Sequence, residues 1–473
     1  MTGGALASVQ AASPGHDLAV RPRWYCSTWW ASLVLGLVNF CAPGIWGAMN
    51  SLGAGGLATP FTANLANALT FGLMVLTAFL TSAIVRLVGV KWTLAFGAAG
   101  YAPYAAGLYC NSLYGNQWFL LLGAALCGIS AGTFWAIEAA IALSYPEPYN
   151  QGRFLGLWLS FRVGGQILGG AINLGLNANR STAGAVNSKV YIIFIVLQAV
   201  GPFVAFLLPA PRKVQRTDGL PVRLFIDNPL LHELKATAKL FFSKRFLLIV
   251  PLITQAVFPE SFNGTYLTLH FSTRSRALGS FLSAIVAIVC GNLLGLWLDR
   301  TRVSLKRRAR LAFFVVLGLQ GAWWIWSTVI QVEFNRTGRV YDWADKGFGR
   351  GFALYLFLVA GFQLNYLFLY FVVGTLVTEP ADIVRIGGLL RATESAAQAV
   401  SYGLNSLSSF TTVGASSLNF GLWAFSLFPA WLVIGKIGTE YLGRGVKETE
   451  EAEVKVLESG GASLESEKSS IVR

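Results

Sequence analysis

Runs of apolar residues long enough to cross a bilayer recur twelve times along this chain. A hydrocarbon core of about 30 Å needs about 20 such residues in a helix. The runs fall at 27–49, 63–85, 92–110, 117–143, 154–177 and 190–208, then at 246–270, 277–298, 311–332, 351–377, 383–410 and 415–435. A polar stretch, 209–245, separates six from six. It opens with Pro209-Ala210-Pro211 and holds Asp218-Gly219, a turn signal. Its second part places Leu230, Leu231, Leu234, Ala238 and Phe241 on one side of a helix, with Lys235, Lys239 and Lys244 elsewhere. That pattern predicts an amphipathic helix lying on the membrane surface. The tail from Lys436 is polar, rich in Glu and Ser, and expected to be disordered. The pattern thus predicts an all-α polytopic membrane protein with twelve transmembrane helices in two six-helix halves. Its expected parts are a tail (1–26), a bundle (27–208), a linker (209–245), a second bundle (246–435) and a tail (436–473).

Composition agrees. Of the 473 residues, 54% are hydrophobic and 12% charged, with mean hydropathy +0.57. An ordinary globular chain carries about 25% charged residues, so a soluble multidomain enzyme and a disordered chain are both excluded. The first 24 residues are polar, so they lack the core of a cleavable signal peptide, and the first apolar run is expected to be a retained anchor. The net charge of +14 points to nucleic acid or to membrane topology. With the N-terminus placed in the cytosol, 26 of the 36 Lys and Arg fall on the cytosolic side and eight on the other, with Arg162 and Arg391 inside spans. This asymmetry follows the positive-inside rule and removes the nucleic-acid reading. The expectation is a multi-pass protein of the plasma membrane or an endomembrane, with both termini cytosolic and the lipid bilayer as its surroundings. Sequons at Asn179 and Asn335 fall in loops on the opposite side and are candidate glycosylation sites; a third, at Asn263, lies within the seventh span.

No cofactor or metal is expected. The five cysteines form no CxxC pair, and the three histidines are scattered. Walker A, HExxH and GxSxG patterns are absent, so nothing argues for an enzyme. The candidates are instead ionisable residues inside spans, each costing about 2.5–3.5 kcal/mol at a helix centre on insertion scales. They are Glu138, Arg162, Glu260, Arg391 and Glu394. Arg391 and Glu394 are three apart and share a helix face. Glu260 follows Pro259, a helix breaker. These groups either couple protons and orient a substrate, or form structural ion pairs between helices. Trp135 and Trp158 are candidate stacking residues for a flat solute. Trp24, Tyr25, Trp29 and Trp30, and likewise Trp323, Trp324 and Trp326, are expected to anchor in the interfacial belt. Gly128/Gly132, Gly165/Gly169 and Gly291/Gly295 offer small faces for close helix approach.

The two halves echo each other. The fifth span holds Leu159-Ser-Phe-Arg162 and ends Gly175-Leu-Asn177; the eleventh holds Gly388-Leu-Leu-Arg391 and ends Gly403-Leu-Asn405. Duplicated halves with a site between them are a common transporter plan. The loop Gly295-Leu-Trp-Leu-Asp299-Arg300, with Lys306-Arg307-Arg308 behind it, resembles the G-x-x-x-D-R signature of the major facilitator superfamily. That resemblance implies a conformational latch at Gly295, Asp299 and Arg300. The matching first-half loop, Arg86-Leu-Val-Gly89-Val-Lys91, lacks the Asp. More specifically, Ala42-Pro-Gly-Ile-Trp-Gly-Ala-Met-Asn50-Ser-Leu-Gly53-Ala-Gly55-Gly56, Gly100-Tyr-Ala-Pro-Tyr104 and Gly128-Ile-Ser-Ala-Gly132-Thr-Phe-Trp135 resemble the Unc-ninety-three-like family. Pro211-x-x-Val214-x-Arg216-x-Asp218-Gly219 is similar to its fungal members. Members usually carry Gln where this chain has Glu138, and Lys-Gly-x-Gln-Ser where it has Arg391-Ala-Thr-Glu394-Ser395. Both departures add acids inside the membrane. The resemblance implies a major facilitator fold. The expected function is secondary transport of an unknown small organic solute by alternating access, with proton coupling; the alternative is a non-transporting regulator or trafficking partner of an ion channel or receptor.

Overall fold

The structure, a computed structural model, describes residues 22–146, 151–217, 222, 230–298, 300, 302–376 and 380–441. Among the described residues sixteen α-helices build twelve rods and a linker helix. The first half contains α1 (Thr28–Asn39) and α2 (Ile45–Asn50), joined through a π turn at Phe40–Gly44 that holds Pro43. Then come α3 (Phe61–Val88), α4 (Val90–Ala99) with α5 (Tyr101–Tyr114), α6 (Gln117–Ser144), α7 (Gln151–Asn177) and α8 (Ser188–Ala205). The linker helix is α9 (Leu230–Phe241). The second half contains α10 (Lys244–Val257) and α11 (Pro259–His270), then α12 (Thr273–Leu298), α13 (Leu305–Thr337), α14 (Phe348–Leu376), α15 (Pro380–Asn405) and α16 (Val413–Ile434).

Local chemistry sets these boundaries. Ser27, Asn116 and Ser243 cap α1, α6 and α10 by accepting from Trp30, Phe119 and Phe246 backbone N–H groups. Left-handed glycines Gly115 and Gly338 end α5 and α13. The seventh rod breaks before Pro259, as Pro259 predicts, because proline lacks the N–H that would continue the ladder. Leu76, Leu80, Val196, Phe203, Leu296 and Phe425 stand exposed around the bundle, where lipid would cover them. Among the described residues nine rods are long and apolar enough by composition to cross a membrane; the third rod, α4 with α5, and α7 and α15 fall outside that set.

The helices run so that the linker and the ends of the described chain lie at one end, here the linker side; the opposite end is the far side. Each half has its own apolar core. The halves meet where α3 packs on α15 and α7 packs on α12. Gly128 and Gly132 press α6 onto α3, and Gly165 and Gly169 press α7 onto the first rod, so these small faces act as expected. The third does not. A Cβ at Gly295 would meet nothing within 4 Å, and one at Gly291 would meet only Gln363 at 3.7 Å. The glycine face of the linker-side half of α12 is therefore open, while Leu294 and Leu298 on its other side are buried.

Other details depart from expectation. Trp324 is buried in an aromatic cluster with Phe262, mid-way along α13, and Trp323 stacks on Phe357. They pack the second half and do not belong to an interfacial belt. Asn335 lies in the last turn of α13, whose length exceeds the predicted span, and its side chain is exposed; Asn179 is exposed beyond the end of α7. On α9, Leu231 and Ala238 are exposed while Leu240 is buried, so the helix turns part of its apolar side away from the protein. Asp299, within the expected latch, lies outside the described residues, as do 442–473 of the expected tail.

A far-side loop is tied down by charge. Arg274 forks onto Asp342, with its Nε donating to Oδ1 at 2.7 Å, and Ser272 Oγ and the Ala344 N–H also donate to that carboxylate. The Arg274 bonds, then those of Ser272 and Ala344, hold the Asp342 carboxyl well below the usual carboxylate range. A depressed folded pKa gives stability that is present above the unfolded value of about 3.9 and lost as pH falls below it. Asp342→Asn is expected to lower stability by about 1.5–3 kcal/mol at pH 7. Thermal unfolding should show that the gap to wild type narrows below about pH 4; a gap independent of pH would contradict the assignment.

Candidate functional site

Between the halves lies a cavity of ≈ 1260 Å³. Its wall includes Thr81 and Val85 near the end of α3, Asn292 near the end of α12, Arg385 near the start of α15, and Thr237 of the linker helix. All of these lie toward the linker side, so the cavity reaches that face.

The far side is closed by hydrogen bonds between halves. Ser51 and Ser280 hydroxyls are 2.7 Å apart, and Asn173 Nδ2 donates to Ser280 at 3.1 Å. Asn64 Nδ2 donates to Thr265 at 2.9 Å and to the Asn405 carbonyl at 2.8 Å. The tightest closure is Arg276, in the first turn of α12 and 1% exposed. Its guanidinium donates to the carbonyls of Leu52 (2.9 Å), Gly53 (2.8 Å), Leu57 (2.9 Å) and Gly184 (3.0 Å), all from the first half. The receiving loop turns its carbonyls inward through a left-handed run, Gly53, Ala54, Gly55 and Gly56. Gly53 also lies so close to Gly264 of α11 that a Cβ there would collide with the backbone. Arg276 is one of the eight cations that the topology places opposite the cytosolic side, just before the run 277–298, and nothing in the sequence marks this role.

The predicted intramembrane charges converge at the head of the cavity. Trp135 of α6 is their hub. The Arg162 guanidinium, from α7, lies 4.6 Å from its ring centroid, and that of Arg391, from α15, lies 4.0 Å away. The echoed arginines of the two halves thus meet on one indole. Glu138, also on α6, is 0% exposed and accepts a hydrogen bond from Trp158 Nε1; its second oxygen has no protein partner. Glu394 is likewise 0% exposed and pairs with Arg391 Nη1 at 2.9 Å. Arg391 Nη1 also donates to Tyr366 at 3.3 Å, whose hydroxyl is 2.9 Å from that of Tyr370. Glu260, at the break between α10 and α11, accepts from Gln398 of α15. Glu138, Arg162, Glu260 and Arg391 all line the cavity; Glu394 stands behind Arg391. Trp135 and Trp158 therefore serve charged groups of the wall. Among the described residues no cluster of His, Cys, Asp or Glu is arranged to hold a metal ion.

Comparison with known proteins gives the same lineage. The family profile described as ion channel regulatory protein UNC-93 matches residues 60–318. The notoamide biosynthesis cluster protein O' of Aspergillus versicolor is 39% identical over 417 residues, covering 88% of this chain and 90% of that protein. UNC93-like protein 1 of Arabidopsis thaliana is 28% identical, covering 78% and 82%. Among solved structures, a D-xylose-proton symporter aligns with TM-score 0.60 at 14% identity, over 88% of this chain and 98% of that one. A POT family transporter in complex with 5-aminolevulinic acid aligns with TM-score 0.59 at 13% identity, over 85% and 95%. At such identities the likeness establishes the fold, the twelve-helix major facilitator architecture.

Proposed function

The chain belongs to the UNC-93 family, and from that premise we propose that it is a secondary transporter moving a small organic solute by alternating access. The carrying observation is the cavity of ≈ 1260 Å³, reaching one face and sealed at the other, with intramembrane charges at its head. A locked structural core would need no such volume. In this reading the linker side is cytosolic, in line with its basic loops, and the state described faces inward. Closing that face would bring the small surface of α12 at Gly291 and Gly295 against α7. Gly295, Asp299 and Arg300 then act as the latch of the closed face, a role supported by the open space beside Gly295. The relative named for a biosynthesis cluster supports a substrate from small-molecule biosynthesis. Asn179 and Asn335, exposed at the far side, are the proposed glycan acceptors.

Glu138 is the proposed proton-coupling group. Arg162, Arg391 and Trp158 face it, and its second oxygen has no protein partner. Proteoliposomes should be tested for uptake of a metabolite panel with and without a pH gradient. Glu138→Gln is expected to reduce gradient-driven uptake about tenfold or more, the equivalent of about 1.4 kcal/mol, while solute exchange without a gradient persists. Unchanged flux at every pH in the folded variant would remove the coupling role. The family's description as channel-regulating supports a second reading, a non-transporting regulator of an ion channel or receptor. Absence of flux for every solute, with a channel subunit co-purifying, would favour it.

A further inference from the structure

We propose that the cavity receives an apolar organic anion, its acidic oxygens held by Arg162 and Arg391 beside Trp135 and its ring system resting on the aromatic wall. This rests on the transport reading and names the substrate class of the same site.

The first reason is an unused donor set. Arg162 lines the cavity, and among the described residues its guanidinium makes no hydrogen bond and no ion pair; it lies over the Trp135 ring and faces the Glu138 carboxyl. Arg391 spends Nη1 on Glu394 and Tyr366, while among the described residues Nη2 carries no hydrogen bond. Two forks at one ring thus present free N–H groups to the cavity. A carboxylate or sulfonate matches a guanidinium fork with two parallel charge-assisted bonds, which an amine or a neutral amide cannot do.

The second reason is that each acid already holds one oxygen in a protein hydrogen bond. Glu138 and Glu394 are each 0% exposed, one bound by Trp158 and the other by Arg391. Glu260 has an oxygen taken by Gln398. An arriving cation would meet two guanidinium groups beside those carboxylates, whereas an arriving anion would meet their N–H donors.

The third reason is the remaining wall. Trp46 meets Phe71 edge-on at 6.0 Å, and Phe71 stacks on Tyr402 at 5.5 Å, which joins the two halves in one aromatic surface. Trp46, Phe71 and Tyr402 line the cavity. Its volume exceeds the range of about 300–1,000 Å³ usual for small-molecule pockets, so a bulky ring system fits.

The test uses the purified full-length protein in lipid nanodiscs and three matched probes: 1-naphthaleneacetate, its neutral amide, and 1-naphthylmethylamine. Calorimetry should show the acid binding about tenfold or more tightly than either analogue. Arg162→Gln should lower acid affinity to that of the amide without changing the amide's, and Arg162→Lys should fall between. Amide or amine binding as tight as the acid's in the wild-type protein would overturn the proposal, as would no saturable acid binding or an unchanged acid affinity in Arg162→Gln. Flux separates this proposal from the parent reading. Acid binding without proteoliposome flux leaves the anion site and sinks transport; flux of neutral or cationic solutes without acid preference does the reverse.

Discussion

Replacing Arg276 by methionine is expected to release the far side and shift the protein toward a state open there. The side chain is buried and donates to four carbonyls of the opposite half. Hydrogen bonds to a charged group contribute about 1.5–3 kcal/mol each, and stranded buried carbonyls add a penalty. Methionine keeps the bulk and removes every donor. Lysine keeps the charge but offers a point donor in place of a planar fork, so Arg276→Lys should fall between. The Ser51 and Ser280 hydroxyls provide the gauge, since they touch across the same closure. Cysteines at both positions should cross-link readily in the parent protein and block transport until reduced. In the Arg276→Met background the cross-linking rate should drop about tenfold or more, one decade per 1.4 kcal/mol. An unchanged rate would show that Arg276 does not hold the halves together.

The second large effect concerns the Arg391–Glu394 pair. Glu394→Ala is expected to destabilise the protein by about 3–5 kcal/mol, because removing one partner strands a buried charge. The double variant Arg391→Met/Glu394→Leu should recover much of that loss, since well-packed apolar pairs often replace buried ion pairs without penalty. Stability and transport should then separate. If the pair were only structural, the rescued double variant would transport as wild type does. If Arg391 meets the substrate, the rescued protein will be stable and inactive. Thermal unfolding and uptake on the same preparations distinguish the two.

These residues show what was legible in the sequence. The twelve rods follow from apolar runs that water cannot tolerate and a bilayer requires. Arg162 and Arg391 stood out because a charge inside such a run is expensive. Their echo has a geometric basis: both reach Trp135 from equivalent helices. Asn177 and Asn405 end those helices alike, each amide donating back to the carbonyl four residues earlier, at 2.8 and 3.0 Å. Arg276 was not legible. It lies beside a span end, where a cation is ordinary, and its partners lie more than 200 residues away or in a separate loop. The segment Gly53-Ala54-Gly55-Gly56 carries part of the family resemblance, but its left-handed backbone and inward carbonyls are tertiary facts. Trp323 and Trp324 misled for a related reason: aromatic clustering marks an interface only when the helix ends nearby, and α13 runs on to Thr337.

The far-side clasp grips main chain. Leu52, Gly53, Leu57 and Gly184 offer Arg276 their carbonyls, which any residue able to adopt the local conformation would also offer. The solute wall consists of side chains. Gate and wall therefore draw on different parts of the polypeptide and can diverge independently. A lineage could re-line the chamber for new cargo, swapping Trp46, Phe71 or Tyr402, while the hinge machinery stayed intact. In engineering terms the fold is a chassis with an exchangeable upholstery, and the Gly53–Gly56 turn is the part to leave alone.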